Sequence, residues 1–520
     1  MSLIKTEGTE MKKEYFIGLD NGGSVTKAGL FDVEGKEIAV SSISVEPHIP
    51  KMNCVERDSD ELFMANIRCI KEVLAKSAID PADIKGLAVS GHGNGLYLVG
   101  FDGKPTYQGV ISTDTRSAGI VRQWYKTGVF DKVLPITNQN IWAGQLSPLL
   151  AWFRENEKET LARSQYAFPC TDYVRFRLTG EAYGEITSMS ATNLVNLQTK
   201  EYDDEVLRLF GLAEYKRLLP PIRLSYEICG GITKEVAGLT GLMEGTPVMG
   251  GMVDFCACPL ATGVIDEDKL SVTTGTWSIN LYLSRTPIIH KDLLMTSLYA
   301  MNDLFLIMEG SMTSASNLEW FVRKIMAKEV EEATREGWNI YQLCNELVGS
   351  VQPEDCSVIF LPFLYGTNVD ADAKSCFMGL SYYHEKAHLL RAIYEGVVFS
   401  AMMHIEKLLG FRESMPKAVR ISGGASRSKE WVQIFADVLQ LPIEVSDAKE
   451  LGTMGVAMCA AVGTGAIENY EEAVLRFVKI KYICQPNAEK KAIYRKKYEL
   501  YKKLVGNMEK LWEQWKLIAH

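Results

Sequence analysis

Two aspartates stand where a carboxylate could act on a small molecule. Asp254 follows the apolar, glycine-bearing run from Val248 to Val253, which reads as one strand, so its carboxylate is expected at the strand's end. There it could accept the proton of a hydroxyl group; the alternative is a helix N-cap, a position that Asp also favours. Asp20 precedes a Gly-Gly-Ser turn in the run FIGLDNGGSVTKAGLFD.

The turn after Asp20 is typical of a loop that binds phosphate. Residues 16–19 and 28–31 read as short strands, and the glycines between them are expected to supply the positive φ of a tight connection. Glycine also lets a phosphate reach backbone N–H groups, and a hydroxyl and an ammonium group lie nearby. Because many Gly-rich hairpins are plain turns, the motif needs support from elsewhere. The residues concerned are Gly22, Gly23, Ser24 and Lys27.

A partial repeat supplies that support. The run LSVTTGTWSINLYLS again reads as strand, Gly-containing turn and strand. Each hairpin is followed downstream by an apolar strand that ends in a glycine-rich loop, GLAVSGHGNG in one case and VRISGGASRS in the other. The sequence therefore predicts two related α/β halves with a nucleotide bound between them.

This arrangement resembles the superfamily of actin, the sugar kinases and the 70-kDa chaperones. The resemblance implies an α/β fold of two actin-like, ribonuclease H-like domains, with a nucleotide cleft between them and ATP as the nucleotide. It also implies the residues that contact ATP. They are Asp20, Gly22, Gly23, Ser24 and Lys27 in a first phosphate loop, Gly275 and Thr276 in a second, and Gly423, Gly424, Ala425 and Ser428 around the nucleoside.

Within that superfamily, the chain resembles the FGGY carbohydrate kinases. The segment SCFMGLSYYHEKAHLLRAIYE, from Ser375 to Glu395, satisfies the second signature of that family at every position. The first signature, in QLSPLLAWFRENE, keeps Trp152 but has Leu149 where the family usually carries lysine. The resemblance implies that Asp254 is the base for a sugar hydroxyl. It also implies that Asp20 holds Mg²⁺ through water.

The same resemblance implies a set of sugar contacts in the first half. Asn94 and Gly93 fall where the family's sugar-contacting pair lies, and Asp114 and Arg116 match a D-x-R element of the xylulokinase branch. A structural ion pair is the alternative for Asp114 and Arg116. The full set is His92, Gly93, Asn94, Asp114, Arg116, Trp142, Gln145 and Phe255.

The motifs match the L-xylulose kinase branch, which also handles a 3-keto sugar acid. Phe255 follows the predicted base, where glycerol kinases and D-xylulokinases carry Gln or Asn, an extra hydroxyl binder. A ketopentose or keto sugar acid is therefore expected as substrate, and D-xylulose, erythritol and glycerol are the alternatives. From other classes, a hydrolytic ATPase would have no use for the segment from Ser375 to Glu395, and a sugar sensor would have none for Asp254.

Composition bears on partners and location. The net charge is −9, from 65 acidic and 56 basic residues, which argues against nucleic acid and anionic membranes as partners. Eleven cysteines without a disulfide framework fit the cytoplasm, and Cys256 and Cys258 lack the further ligands of a zinc site. No run is long and apolar enough to span a membrane. A homodimer is one alternative for the oligomeric state, which stays open.

Three segments are expected. An N-terminal domain covers residues 11–265, with a native start near Met11, and a C-terminal domain covers residues 266–485. Residues 486–520 read as a packing helix with a basic outer face, for which an electrostatic partner site is the alternative. Glu56 to Asp58 reads as an acidic turn before a first helix at 60–75. Closure of the two domains on a bound sugar is expected to compact the protein.

Overall fold

The computed structural model describes residues 14–275, 277–311, 313–367 and 372–515. The expected start near Met11 and the predicted phosphate contact Thr276 therefore lie outside the described residues. Two compact units are present. Among the described residues, unit 1 contains 14–137, 141–261 and 449–478, and unit 2 contains 138–140, 262–448 and 479–515. Residues 449–478 thus pack with the first unit.

Most of the strands follow the apolar runs of the sequence. They are β1 Tyr15–Asn21, β2 Val25–Asp32, β3 Glu37–Ser44, β4 His48–Lys51, β5 Cys54–Arg57, β6 Ile84–Gly91, β7 Tyr97–Gly100, β8 Gly109–Val110, β9 Ser164–Phe168, β10 Gly184–Glu185, β11 Val195–Asn196, β12 Glu201–Tyr202, β13 Ile222–Arg223, β14 Ile228–Gly231, β15 Pro247–Met249, β16 Met252–Val253, β17 Lys269–Thr274, β18 Ser278–Ser284, β19 Met295–Leu298, β20 Phe305–Ser311, β21 Ile359–Leu361, β22 Cys376–Met378, β23 Ala418–Gly423, β24 Ile443–Ser446 and β25 Ile480–Cys484.

No helix in the described part of the chain is long and apolar enough to cross a membrane. The helices are α1 Ser59–Ser77, α2 Ala118–Lys126, α3 Val129–Thr137, α4 Leu146–Asn156, α5 Lys158–Arg163, α6 Cys170–Thr179, α7 Ile186–Ser190, α8 Asp204–Leu209, α9 Lys234–Thr240, α10 Asp254–Ala261, α11 Ser316–Ile325, α12 Ala327–Glu336, α13 Ile340–Ser350, α14 Lys386–Gly410, α15 Lys429–Leu439, α16 Leu451–Gly463, α17 Tyr470–Phe477 and α18 Lys491–Trp515.

The main sheet of unit 1 has the order β14-β15-β6-β1-β2-β3, and β16 also pairs with β6. β1 is antiparallel to β2 and parallel to β6, and β6 is parallel to β15 and β16. On one face, Ile17 and Leu19 pack into a buried cluster with Leu62 of α1. On the other face, Gly18 leaves room for the backbone of Thr453 in α16. Because both faces are covered, β1 is apolar nearly throughout.

The main sheet of unit 2 repeats this pattern. Its order is β19-β20-β18-β17-β23-β24-β25, and β17 is antiparallel to β18 and parallel to β23. The run β24-β23-β17-β18-β20 therefore corresponds to β15-β6-β1-β2-β3 in unit 1. The predicted duplication of an α/β half is confirmed by this strand order.

The expected single strand from Val248 to Val253 is wrong. It is divided into β15 and β16 by Gly250 and Gly251. Gly251 has φ of +83°, and a side chain there would overlap the carbonyl of Val89 in β6. The glycine pair thus lets the chain step along β6 and resume pairing beside its last residues.

Candidate active site

Three parallel strands of unit 1 bring the two predicted carboxylates to one edge of the sheet. Asp20 of β1 is opposite Ser90 of β6, and Ser90 is also opposite Met252 of β16. Asp254 is two residues beyond Met252 and begins α10. Both carboxylates therefore emerge at the carboxyl ends of β1 and β16, the parallel strands on either side of β6, which is the usual position for a site in an α/β sheet.

The Asp254 carboxylate has few partners in the protein. Its Oδ1 accepts a hydrogen bond of 2.8 Å from the backbone N–H of Phe255. Burial raises its pKa to about 7, and the nearby Asp20 carboxylate adds to the rise, while the N–H groups of Phe255 and Gly93 oppose it. A carboxylate with its pKa near neutrality suits a general base. One observation supports the N-cap alternative, because Asp254 is the first residue of α10.

Helix α16 approaches Asp20 closely. Gly452 of α16 faces it, and a Cβ at that glycine would lie 2.5 Å from Asp20 Cγ. Burial raises the pKa of Asp20 to about 6; the Lys27 ammonium lowers it and Glu450 raises it. Asp20 Oδ1 is buried and has no hydrogen-bond partner within the described protein. This oxygen is therefore available to a ligand.

The turn between β1 and β2 is closed by a hydrogen bond of 3.0 Å from Gly22 N–H to Val25 O. The expected positive φ at Gly22 and Gly23 is wrong, since neither glycine is in the left-handed region. Gly23 and Ser24 are exposed, and space is open where a Cβ of Gly23 would be. Glycine serves here through the room that it leaves above the turn.

Arg57 supports this turn from below. The side chain is fully buried, and its Nη2 donates to the carbonyl oxygens of Gly22, at 3.0 Å, and Gly23. The sequence reading treated residues 56–58 only as an acidic turn before α1, so it missed this arginine. A charged residue that ends a mostly buried strand was the available signal.

Lys27 is paired within unit 1. Its Nζ lies 2.6 Å from Glu450 Oε2, at the N-terminus of α16. The predicted phosphate contact is thus shared with a carboxylate that the sequence reading had not considered. Both side chains are only partly buried, so an incoming phosphate could compete for the ammonium group.

The loop after β6 carries the predicted sugar contacts. His92 is buried, and burial, with the charge of Arg57, lowers its pKa to about 3, so the ring is neutral. Asn94 has a left-handed φ of 65° and a buried Oδ1 without a partner in the described residues. Gly93 faces the Phe255 ring, with a Cβ position 2.7 Å from Phe255 Cε1. The structure therefore brings His92, Gly93, Asn94, Asp254 and Phe255 together.

Asp114 and Arg116 form the ion pair that was the alternative to sugar binding. Arg116 Nη2 lies 2.9 Å from Asp114 Oδ2 and 2.6 Å from Glu56 Oε1. Asp114 also accepts from the backbone N–H of Val55 at 2.7 Å. Both acids are thus engaged within the protein, and only Arg116 Nη1 is buried without a partner there.

Gln145 and Trp142 are engaged with each other. Gln145 is fully buried, and its Oε1 accepts hydrogen bonds from the backbone N–H of Trp142 at 3.2 Å and from Asn193 Nδ2 at 3.3 Å. Gln145 Nε2 donates to Ala191 O at 3.4 Å. These hydrogen bonds fix the segment before α4.

In unit 2, the two predicted nucleotide loops follow the carboxyl ends of the neighbouring parallel strands β17 and β23. Thr274 of β17 is opposite Gly423 of β23, and the Ala425 N–H donates to Thr274 Oγ1 at 3.1 Å. Gly423 has φ of +84° and meets the Thr274 backbone. Gly275 and Gly424 follow these strand ends. The two loops are therefore joined by direct contacts.

Ser428 begins α15, where its Oγ accepts from the Trp431 N–H at 3.1 Å. The same hydroxyl donates to Asn345 Oδ1 at 2.7 Å. Its predicted contact with the base would require sharing this hydroxyl. No cluster of three or more His, Cys, Asp or Glu side chains in the described ranges is arranged to hold a metal ion.

Solved structures share this fold. A xylulose kinase from Lactobacillus acidophilus superimposes with a TM-score of 0.88 over 96% of this chain and all of its own, at 22% identity. A glycerol kinase from Plasmodium falciparum, solved with ADP, gives 0.83 over 95% of this chain and 98% of its own, at 19% identity. The predicted fold class, two actin-like or ribonuclease H-like α/β domains, is confirmed.

The sequence comparisons define the family. Residues 15–260 match the N-terminal domain, and residues 270–464 the C-terminal domain, of the FGGY family of carbohydrate kinases. The chain belongs to this family and is an ATP-dependent carbohydrate kinase.

Two curated relatives are each 35% identical to it. One is a probable L-xylulose kinase of Pasteurella multocida, aligned over 94% of this chain and 98% of its own length. The other is the L-xylulose/3-keto-L-gulonate kinase of Escherichia coli, aligned over 95% of this chain and 97% of its own length. Both alignments span nearly the whole of each protein.

Proposed function

We propose that this kinase transfers the γ-phosphoryl group of ATP to a hydroxyl of L-xylulose or of a keto sugar acid such as 3-keto-L-gulonate. The observation that carries the proposal is the position of Asp254, a half-buried carboxylate with a raised pKa beside the backbone N–H groups of Gly93 and Phe255. The two relatives at 35% identity, named for these sugars, support the choice of substrate.

In this proposal Asp254 accepts the proton of the attacking hydroxyl. Its hydrogen bond from Phe255 N–H fixes the carboxylate, and its raised pKa keeps it a useful base near neutral pH. Phosphoryl transfer has a loose transition state, so orientation of the hydroxyl and neutralisation of charge provide most of the catalysis.

Asp20 would hold Mg²⁺. The fit is supported by its buried Oδ1, which lacks a partner among the described residues, and by the glycine at 452 that leaves space only for the carboxylate. Mg²⁺ binds through one or two carboxylates and keeps several waters, so a site with one protein carboxylate is sufficient. When bound, the cation would neutralise charge on the ATP phosphates. Lys27 would add a second positive charge.

The nucleotide contacts proposed in unit 2 are the glycines after β17 and β23, together with Thr276. Gly423 supports a close approach because its φ of +84° excludes most side chains. We place the reaction in the cytoplasm, where ATP is available. A homodimer remains a proposal that size measurement in solution would test.

The substrate choice depends on the surroundings of Asp254. Phe255 presents an apolar ring next to Gly93, whereas Asn94 offers an amide oxygen without a partner in the described protein. A small polyol would gain few hydrogen bonds here. A longer keto sugar gains more contacts, so it should have the higher kcat/KM.

The test is ADP release from ATP and Mg²⁺ with L-xylulose, 3-keto-L-gulonate, D-xylulose, erythritol and glycerol. We expect the highest kcat/KM with one of the first two. Glycerol as the best substrate would contradict the substrate assignment. Equal ADP release with and without sugar would identify a hydrolytic ATPase, the alternative of another class.

A further inference from the structure

Arg57 is a buried cation whose hydrogen bonding is incomplete. The side chain is 0% exposed, and its Nη2 donates to the carbonyl oxygens of Gly22 and Gly23. Nε and Nη1 have no partner in the described part of the protein. No carboxylate of that part forms an ion pair with Arg57, although Arg175, equally buried, has Asp172 at 2.7 Å.

Such an arrangement is costly without a ligand. A buried charge needs a partner of opposite charge, and each buried N–H needs an acceptor. Arg57 has three N–H bonds on the two unpartnered nitrogens; each of these N–H groups needs an acceptor, and an anion would also balance the charge of the guanidinium. The missing partner is therefore an oxyanion.

The guanidinium lies against the turn between β1 and β2, where its Nη2 donates to Gly22 O and Gly23 O. The loop with the candidate sugar contacts begins beside the same turn, since the backbone N–H of His92 donates to Asn21 O at 2.9 Å. The charge of Arg57 is also one cause of the low pKa of His92, which belongs to the loop that carries Asn94. Burial raises the pKa of the Cys170 thiol; the charge of Arg57 opposes this rise, and the carboxylates of Asp254 and Asp20 add to it. Cys170 is therefore close enough to all three charges to be affected by each. Other polar atoms here are buried without a partner in the described protein. They are Ser90 Oγ, Asn94 Oδ1, Thr171 Oγ1 and Asp20 Oδ1.

We propose that Arg57 binds an oxyanion in the sugar site, either the carboxylate of a keto sugar acid or the phosphoryl group in transfer. This inference rests on the proposed function. Both sources have the same chemistry, an anionic group of oxygens that accepts hydrogen bonds from the unpartnered N–H groups of Arg57. The two sources predict different results with a neutral sugar. Phosphorylation of a neutral sugar depends on Arg57 only if the phosphoryl group is the oxyanion that Arg57 binds.

The experiment compares Arg57→Gln with the wild type on 3-keto-L-gulonate, which has a carboxylate, and on L-xylulose, which has none. Loss of kcat/KM on the order of 10²-fold for the acid alone would assign the substrate carboxylate. A similar loss of kcat for both sugars would assign the phosphoryl group. Unchanged kinetics, within about three-fold for both sugars, would overturn the proposal.

Arg154→Gln is the matched control. Arg154 also donates to two carbonyl oxygens at a glycine turn, Phe210 O at 3.3 Å and Gly211 O at 2.8 Å, so its loss removes similar support. It should leave both kcat/KM values within about three-fold of those of the wild type. A loss that matches the loss in Arg57→Gln, for the acid alone or for both sugars, would also overturn the proposal. Arg57→Lys, which keeps the charge, should recover part of the activity and serves if Arg57→Gln does not fold.

A binding measurement separates this inference from the proposed function. If the wild type phosphorylates neither sugar, the function fails, but 3-keto-L-gulonate or inorganic phosphate should still raise the melting temperature. That increase should be absent in Arg57→Gln and smaller than in the wild type in Arg57→Lys for the anion concerned. Equal stabilisation of the wild type and both variants by both anions would overturn the role of Arg57.

Discussion

Lys27 Nζ lies 2.6 Å from Glu450 Oε2, although 423 residues separate them in the sequence. The pair joins β2, which follows the predicted phosphate-binding turn between β1 and β2, to the start of α16. Glu450 also raises the pKa of Asp20, while Lys27 lowers it. The three charges therefore form one electrostatic group, in which Glu450 would compete with a bound phosphate for Lys27.

This pair gives the first prediction. Lys27→Met should raise the KM for ATP about ten-fold, because one charge-assisted contact to phosphate is lost, with little change in the KM for sugar. Glu450→Gln should lower the KM for ATP, because it frees Lys27. Steady-state kinetics with ATP and sugar varied in turn are the measurement. An increase in the KM for sugar alone in Lys27→Met would contradict the assignment.

Asp254→Asn should lower kcat by about 10²- to 10⁴-fold, the usual contribution of a positioned proton acceptor. ATP affinity, measured by titration, should change little because the base is not expected to contact the nucleotide. Asp80→Asn is the control, since Asp80 is exposed and accepts from Ala82 N–H. Turnover close to that of the wild type would remove Asp254 from the mechanism.

The raised pKa values predict a pH dependence of activity. Asp254 has a pKa of about 7, so kcat/KM for the sugar should fall as pH drops below about 7, where the carboxyl becomes protonated and cannot accept a proton. This limb of the profile should vanish in the residual activity of Asp254→Asn. A flat profile between pH 5.5 and 8 in the wild type would refute it.

Stability should show the opposite trend. The pKa of Asp254 in the folded state lies above its ordinary value of 3.8, so the folded state holds this proton to higher pH than the unfolded state. This contribution to stability is complete below pH 3.8 and declines as pH rises to about 7. Urea unfolding measures this effect. The difference in free energy of unfolding between Asp254→Asn and the wild type should favour the variant more at pH 8 than at pH 5.

Asp20→Asn should weaken the use of Mg·ATP far more than sugar binding, because it removes a carboxylate that would hold the cation. Titration with Mg²⁺ at fixed ATP should show a higher half-saturating concentration. Sugar affinity, measured by calorimetry without nucleotide, is the reference. Equal weakening of both would move Asp20 to the sugar side.

Gly452→Ala should disturb the same carboxylate by contact. The new methyl group would lie 2.5 Å from Asp20 Cγ, so the helix or the strand must move, at a cost of about 1–3 kcal/mol. Both the melting temperature and kcat should fall. Gly506→Ala in α18 is the control, because nothing lies within 4 Å of the new methyl group and alanine favours helix. It should be neutral or stabilising.

Local patterns in the sequence determined much of this protein. Apolar runs and glycine-bearing turns predicted the β1–β2 and β17–β18 hairpins, the strands β6 and β23, and the duplication. The segment from Ser375 to Glu395 indicated the family, which the comparisons confirm. These features were readable because they depend on neighbouring residues and on the two-residue period of a strand.

The tertiary structure alone decided which distant residues meet. It placed α16 on β1, where Gly452 faces Asp20, so 449–478 joined the first unit. It buried Arg57 beneath the turn between β1 and β2, and it brought Glu56 to Arg116. Contacts of this kind result from packing between elements far apart in the chain, and neither residue type nor periodicity specifies the partner.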